Sequence, residues 1–151
     1  MIYYLDTSAL VKRYLNEPGS QWLRDTIGAA EILLSTQLLI PEVISALNRL
    51  MREGMLALPD YHRLRLAFCD DCVNEYQLIP PRSDILSLSC ELIERHPLRA
   101  YDAVHLATAL VVEHALQAQD LPRLTFLSAD DRLLAIAATE GLTTDNPNDH
   151  P

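Results

Sequence analysis

The chain contains few of the residues on which several common kinds of functional site depend. Only 3 of its 151 residues are cysteine, which is too few, and an odd number, for a disulfide framework. Its 4 glycines cannot build the glycine-rich loop of a Walker or dinucleotide site. No apolar run reaches the roughly 18–20 residues that cross a bilayer. The opening MIYYLDTSAL contains Asp6 and no basic residue, unlike a signal peptide, so we expect a cytoplasmic protein.

Two of the cysteines, Cys69 and Cys72, form a CxxC pair of the kind found in zinc and redox sites. Zinc would need two further ligands, and no second cysteine pair or HxxxH sequence lies nearby. The surrounding LRLAFCDDCV is typical of the middle of a helix. The favoured interpretation is therefore structural, with both thiols as small buried or half-buried side chains.

Short apolar runs rich in β-forming residues alternate with segments of helical periodicity. Strands are predicted at IYYL, EILLS, YQLIP, LTFLS and, more weakly, LTTDN, with helices between them. This alternation predicts an α/β fold, a three-layer α/β/α sandwich around a central, mostly parallel sheet. We expect one domain over residues 1–146 and a frayed tail over residues 147–151.

The segment from Thr36 to Asn74 holds two predicted helices with no strand between them. It is therefore expected to form an antiparallel helical hairpin, which could wall a groove or pair with another subunit. Pro41 lies inside the first of these helices, and it predicts a kink or a restart of the helix just before Glu42.

Four acidic residues stand where the pattern predicts a shared site. Asp6 follows the first strand and Asp130 follows the fourth, so both should lie at the carboxyl edge of the sheet, where α/β proteins bind ligands. Each could instead be only a helix cap. Asp102 and Glu42 interrupt strongly apolar helices, and a carboxylate in such a place needs a partner, a cation or a proton.

Several carboxylates at one edge repel each other unless a cation neutralises them. Oxygen ligands without cysteine suit Mg²⁺ or Mn²⁺. The chemistry that fits is hydrolysis of a phosphodiester, in which the metal activates the attacking water and stabilises the leaving oxygen. The net charge of −9 argues against a nucleic-acid substrate, because phosphate binding usually relies on Lys and Arg.

Four segments together resemble the PIN-domain proteins, and among them the VapC-type toxins of toxin–antitoxin pairs. These segments are LDTSALVKRY followed by EPGS, PEVISALNRL, RAYDAVHLATAL and FLSADDRLLAIAATEGL. The resemblance covers nearly the whole chain, with the motifs in the right order. It implies a PIN fold and a Mg²⁺- or Mn²⁺-dependent endoribonuclease.

The resemblance also implies roles for individual residues. It places the acidic positions of the family at Asp6, Glu42, Asp102 and Asp130, with supporting residues at Ser8, Ser128 and Asp131. Asp131 adjoins Asp130, and the spacing after Ser128 favours Asp130 as the fourth acid. Asp145 departs from the family pattern and is treated as peripheral.

The resemblance further implies the partners. The family usually forms homodimers and is held inactive by a cognate antitoxin that inserts a basic residue near the site, which would account for the acidic charge. Assemblies larger than a dimer are possible when the antitoxin is bound. Contact with the RNA substrate would then fall to a few basic residues: Lys12, Arg13, Arg49, Arg52 and Arg99.

Other interpretations remain open at this point. His105 could orient Asp102 or a water, although a histidine on an apolar helix face is more often a satisfied core residue. A phosphatase of haloacid-dehalogenase type would also place an Asp after its first strand, but here Thr7 and Ser8 follow where a second acid is needed. A catalytically silent PIN-like binding module is the non-enzymatic alternative.

Overall fold

The computed structural model of the protein describes residues 1–150, which contain a five-stranded sheet. Its strands are β1 (Ile2–Leu5), β2 (Ile32–Thr36), β3 (Tyr76–Ile79), β4 (Leu124–Leu127) and β5 (Thr143–Asp145). They lie in the order β3-β2-β1-β4-β5, and every neighbouring pair is parallel. These parallel pairs confirm the prediction of a parallel α/β sheet. Parallel strands need a crossover connection, and at least one helix lies between each strand and the next.

The helices cover both faces of this sheet. They are α1 (Thr7–Tyr14), α2 (Ser20–Gly28), α3 (Leu39–Arg52), α4 (Leu58–Asn74), α5 (Ser83–Arg95), α6 (Ala100–Gln117) and α7 (Asp131–Thr139). Successive strand residues point to opposite faces, so Tyr4 belongs to a core with α5, α6 and α7, and Leu5 to a core with α1 to α4. Leu34 and Leu33 of β2 divide in the same way. This is the predicted three-layer sandwich.

The hairpin predicted between β2 and β3 is present as α3 and α4, which pack against each other. The expected restart before Glu42 is wrong, since α3 runs unbroken from Leu39 through Pro41. Pro41 lies in the first turn, where a backbone N–H has no partner inside the helix, so proline costs nothing there. Glu42 is thereby fixed in the first turn of α3.

The last described residues are packed, although the sequence predicts fraying there. Pro147–Asp149 form a 3-10 turn, and the ring of His150 stacks on Trp22 with the centroids 4.0 Å apart. Gly19 has a φ of 77° and approaches Pro147 so closely that a Cβ at residue 19 would lie 2.0 Å from the Pro147 carbonyl oxygen. The prediction of a frayed tail is therefore wrong for residues 147–150.

The cysteines form no disulfide within residues 1–150, and none of the helices there is long and apolar enough to span a bilayer. Cys69 and Cys72 lie in α4, so the predicted helical placement is confirmed, although both stand in its C-terminal half. Cys72 is half-buried, but Cys69 is exposed, so the burial predicted for both thiols is wrong for Cys69. Burial raises the pKa of the Cys72 thiol to about 11, which keeps it protonated and unreactive near neutral pH.

Candidate active site

The candidate site lies where β1 and β4 end side by side. Leu5 pairs with Leu127 in the parallel register, and the backbone N–H of Asp6 donates to the Leu127 carbonyl at 3.1 Å. Asp6 is the first residue after β1, and Asp130 is the third after β4. Both acids therefore lie at the carboxyl edge of the sheet, the position that the sequence predicts for them.

Asp6 is buried and densely hydrogen-bonded. Its carboxylate accepts bonds from the Ser8 hydroxyl at 2.8 and 2.9 Å, from the Ser128 hydroxyl at 2.7 Å and from the Ala9 backbone N–H at 2.8 Å. The last bond makes Asp6 the N-cap of α1. Burial raises the pKa of Asp6, while nearby His105 in its protonated form and these hydrogen bonds act to lower it. Asp6 therefore caps a helix and also lies at the candidate site.

The two serines connect the end of β1 to the turn after β4. Their hydroxyl oxygens lie 3.2 Å apart, and Ser8 Oγ accepts from the Ala129 backbone N–H at 2.9 Å. Ser128 Oγ accepts from the Asp130 backbone N–H at 3.0 Å while it donates to Asp6. Asp6 and the backbone of Asp130 are thus held by one hydrogen-bond network.

Asp102 lies close to both of these acids. It is half-buried in the first turn of α6. Burial raises its pKa most, followed by the negative charges of Asp6 and Asp130, while Arg99 and the protonated form of His105 act to lower it. Asp102 is therefore near enough to both Asp6 and Asp130 to be repelled by their charges.

The geometry separates Asp130 from Asp131. Asp130 Oδ1 accepts from the backbone N–H groups of Arg132 at 2.9 Å and Leu133 at 3.3 Å, which caps α7. The Asp131 carboxylate instead accepts a bond from the Asn146 side chain at 2.6 Å. Asp130, whose charge raises the Asp102 pKa, is thus the acid that lies near the site. Asp131 supports the segment after β5.

A small pocket of about 100 Å³ opens between the start of α6 and the start of α7. Asp102 and Asp130 line it together with two exposed arginines, Arg99 and Arg132. Arg99 is among the basic residues predicted from the sequence, and Arg132 is not. Arg132 lies two residues after Asp130, which caps α7, and is therefore in the first turn of that helix. The sequence already contains this spacing.

Glu42 is hydrogen-bonded to a buried histidine, His105. Its Oε1 lies 2.7 Å from Nε2 of His105, which is only 1% exposed and one helical turn after Asp102. The Thr7 hydroxyl is 3.3 Å from the same nitrogen, and the Tyr4 hydroxyl is 3.2 Å from Nδ1. His105 is a satisfied core residue, as the favoured interpretation held, and its charged partner is Glu42, not Asp102. Sequence reasoning missed Tyr4, although a phenol in a buried strand needs a partner.

Two of the basic residues expected to contact RNA are engaged elsewhere. Lys12 is 4% exposed, and its ammonium group donates to Glu17 at 3.3 Å and to the Pro18 carbonyl at 2.9 Å. Arg13 pairs with Asp71 at 3.2 Å and with Glu75 at 2.6 Å. These partners argue against the expected use of Lys12 and Arg13 for RNA, which stays a prediction, because both charges are already paired within the fold.

The other basic candidates are separated from one another. Arg49 and Arg52 are exposed in the last turn of α3, about 10 Å and about 15 Å along the helix axis from Glu42 at roughly 1.5 Å per residue. Arg99 immediately precedes α6 and lines the pocket with Asp102. The basic residues are thus not one continuous patch.

The donor atoms at this edge fit a hard divalent cation. None of the ion pairs within residues 1–150 involves Asp6, Asp102 or Asp130, so their charges lack a cationic side-chain partner. The same residues contain no group of three or more His, Cys, Asp or Glu side chains arranged to hold a metal ion. Mg²⁺ tolerates such an arrangement, since it keeps several waters and commonly binds through one or two carboxylates plus substrate phosphate.

Several known proteins are similar to this chain over nearly its whole length. Ribonuclease VapC47 of Mycobacterium tuberculosis is 27% identical over 148 residues, which is 95% of this chain and 96% of that protein. The structure of VapBC2 from Rickettsia felis, bound to a DNA fragment from their promoter, matches with a TM-score of 0.63 and 12% identity over 97% of this chain and 98% of that one. A toxin–antitoxin complex from Klebsiella pneumoniae matches with a TM-score of 0.55 and 15% identity over 96% and 97%.

The family model for the PIN domain matches residues 3–139, which include all four predicted acids. The two solved structures share the fold, and the resemblance found in the sequence motifs is confirmed. The chain belongs to the PIN-domain family.

Proposed function

We propose that this protein is a divalent-metal-dependent endoribonuclease and the toxin of a toxin–antitoxin pair. The observation that carries the proposal is the group of acids at the carboxyl edge, where Asp6 and Asp130 raise the pKa of Asp102. The match to a protein named a ribonuclease supports the activity. The likeness to two toxin–antitoxin complexes supports the antitoxin partner.

Each acid has a role that follows from its surroundings. Asp6 is locked by the two serines and the start of α1, so its oxygens have fixed directions. Asp102 is half-buried and lines the pocket, so one of its oxygens can reach a ligand from outside. A divalent cation bound between these carboxylates would activate the attacking water and stabilise the charge on the leaving oxygen. Titration of RNA cleavage with each ion in turn distinguishes Mg²⁺ from Mn²⁺ as the cofactor.

Glu42 and Asp130 complete the site from either side. Glu42 is held through Oε1 by His105, which leaves Oε2 to orient the attacking water. Asp130 is fixed by the backbone at the start of α7 and adds negative charge next to Asp102. Arg99 and Arg132 line the same pocket and supply the positive charge that an RNA phosphate requires.

The charge of the chain suits a basic partner. A net charge of −9 repels free RNA and attracts a segment rich in Arg or Lys. A cognate antitoxin that places such a segment over the acids would block the site. A homodimer and a cytoplasmic location remain predictions from the sequence resemblance and composition. Membership of the PIN family leaves the haloacid-dehalogenase alternative without support.

The decisive test is RNA cleavage by the isolated protein as Mg²⁺ or Mn²⁺ is titrated from zero. The wild type is compared with Asp6→Asn and with a matched control, Asp25→Asn, which removes the same charge from an exposed position on α2. Cleavage should require metal, survive in the control and fall at least ~100-fold in Asp6→Asn, because a lost carboxylate ligand disables metal-assisted hydrolysis.

Two results would contradict the proposal. Cleavage that is unchanged in Asp6→Asn or independent of metal would remove the mechanism. No cleavage of any RNA, together with no rise in melting temperature on adding metal, would favour the silent binding module instead.

A further inference from the structure

We propose that His105 is a positioning residue that fixes the orientation of Glu42, and that Tyr4 holds its ring in the required tautomer. The proposal rests on the role given above to Glu42. It goes further in assigning a function to a buried hydrogen-bond chain that runs from β1 through α6 to α3.

The chain of hydrogen bonds has one consistent direction. An ionised carboxylate only accepts hydrogen bonds, so the 2.7 Å contact with Glu42 requires the proton on Nε2 of His105. In the neutral ring Nδ1 is then an acceptor, and the Tyr4 hydroxyl 3.2 Å away donates to it. The Tyr4 phenol is fully buried, and its hydroxyl carries the proton for this bond. Tyr4 therefore selects the tautomer that can hold Glu42.

The rings in this chain are rigidly packed. Tyr4 is 0% and His105 1% exposed. Tyr4 stacks on Phe126 of β4 with the ring centroids 5.4 Å apart, and it meets His105 edge-on at 6.0 Å. The donor nitrogen is thus fixed by the core, whereas a glutamate side chain on its own has three rotatable bonds. The interaction removes rotational freedom from Glu42 before substrate arrives.

The contact also connects the two helical layers. His105 belongs to α6, which packs in the core with α5 and α7, and Glu42 belongs to α3 on the other side of the sheet. Tyr4 lies two residues before Asp6, and His105 three residues after Asp102. One hydrogen-bond chain therefore sets the position of Glu42 relative to the elements that carry two other acids.

The first test is a double-mutant cycle on RNA cleavage in metal. His105→Leu removes the donor, while His105→Gln places an amide N–H near the position of Nε2. We expect His105→Leu to lower kcat by about 10–100-fold with little change in KM, the usual cost of losing a group that orients a site residue. His105→Gln should retain most of kcat. In a Glu42→Gln background, His105→Leu should change kcat by less than about twofold, because the two residues act as one unit.

Additive losses in the cycle, or a His105→Gln variant as inactive as His105→Leu, would overturn the positioning role. Thermal melting of each variant separates this result from loss of folding. If His105→Gln melts at the wild-type temperature but is inactive, that result also counts against the positioning role.

The second test needs no activity. Nitrogen-15 NMR of the histidine rings in the metal-free wild type should show the His105 proton on Nε2, with Nδ1 as an acceptor. Tyr4→Phe should shift the Nδ1 resonance, whereas the control Tyr3→Phe, from the opposite face of β1, should not. A proton on Nδ1 would refute the proposal whatever the enzyme does. Absence of RNA cleavage with the expected tautomer would instead refute the proposed function and leave the hydrogen-bond chain intact.

Discussion

Replacing Asp102 with Asn should stabilise the metal-free protein while abolishing RNA cleavage. The carboxylate of Asp102 is disfavoured by burial and by the charges of Asp6 and Asp130, so its pKa is raised. An acid whose folded pKa is raised destabilises the fold once it ionises. The destabilisation is absent below its unfolded pKa of 3.8 and grows as the pH rises through the folded value.

The size of the effect follows from two opposing contributions. Repulsion from neighbouring carboxylates is of order 1 kcal/mol for a half-exposed group, since solvent screens most of the Coulomb energy. Asp102 also lies in the first turn of α6, where a negative charge interacts favourably with the helix dipole by roughly 0.3–1 kcal/mol. Burial also disfavours the charged carboxylate, and it adds to the effect of the repulsion. We therefore expect Asn at position 102 to raise the free energy of unfolding by about 1 kcal/mol. In a domain of this length that corresponds to a rise of about 2–4 °C in melting temperature.

The assay is thermal unfolding of wild type and Asp102→Asn in chelator, measured at pH 7 and at pH 4. The variant should melt higher at pH 7, and the difference should shrink at pH 4, where the wild-type carboxylates begin to take up protons. Adding Mg²⁺ or Mn²⁺ should raise the wild-type melting temperature more than that of the variant. A variant that melts several degrees lower at pH 7 in chelator would show that Asp102 is structural and that the site is misassigned.

Three further substitutions test separate parts of the account. Gly19→Ala should lower the melting temperature by several degrees, because a Cβ would lie 2.0 Å from the Pro147 carbonyl at a φ of 77°, whereas Gly28→Ala, with no atom within 4 Å, should not. Ser128→Ala removes a hydrogen bond that lowers the pKa of Asp6, so unfolding free energy from denaturant titration should fall by about 1 kcal/mol, more at pH 7 than at pH 4. Lys12→Met should lower thermal stability without changing RNA affinity in a filter-binding assay, and a specific loss of affinity would contradict the burial of this residue.

The sheet and its parallel order were predictable because strand ends and helix periodicity are local properties of the chain. Acidic residues follow the runs IYYL and LTFLS at their carboxyl ends, and the two runs pair with each other in the sheet. Asp6 and Asp130 could be placed at the carboxyl edge for the same reason. The motifs of the family then supplied Glu42. The expected restart of its helix at Pro41 did not occur, because α3 begins at Leu39 and Pro41 therefore lies in its first turn.

The features that the sequence did not reveal depend on contacts between distant residues. Tyr4 and His105 are 101 positions apart, and nothing local indicates that one hydroxyl will meet one ring nitrogen. The burial of Lys12 depends instead on a nearby non-helical segment, because its partners Glu17 and the Pro18 carbonyl follow the end of α1 and contact its ammonium group. The packing of residues 147–150 depends on the close approach of Gly19 to Pro147.

Anomalous diffraction from crystals of the protein soaked in Mn²⁺ tests the metal site most directly. We expect an anomalous peak at the carboxyl edge, in contact with carboxylate oxygens of Asp6 and Asp102, which disappears in Asp102→Asn crystals. A peak bound elsewhere, or full occupancy that persists in the variant, would contradict the assignment of these acids as the metal-binding active site.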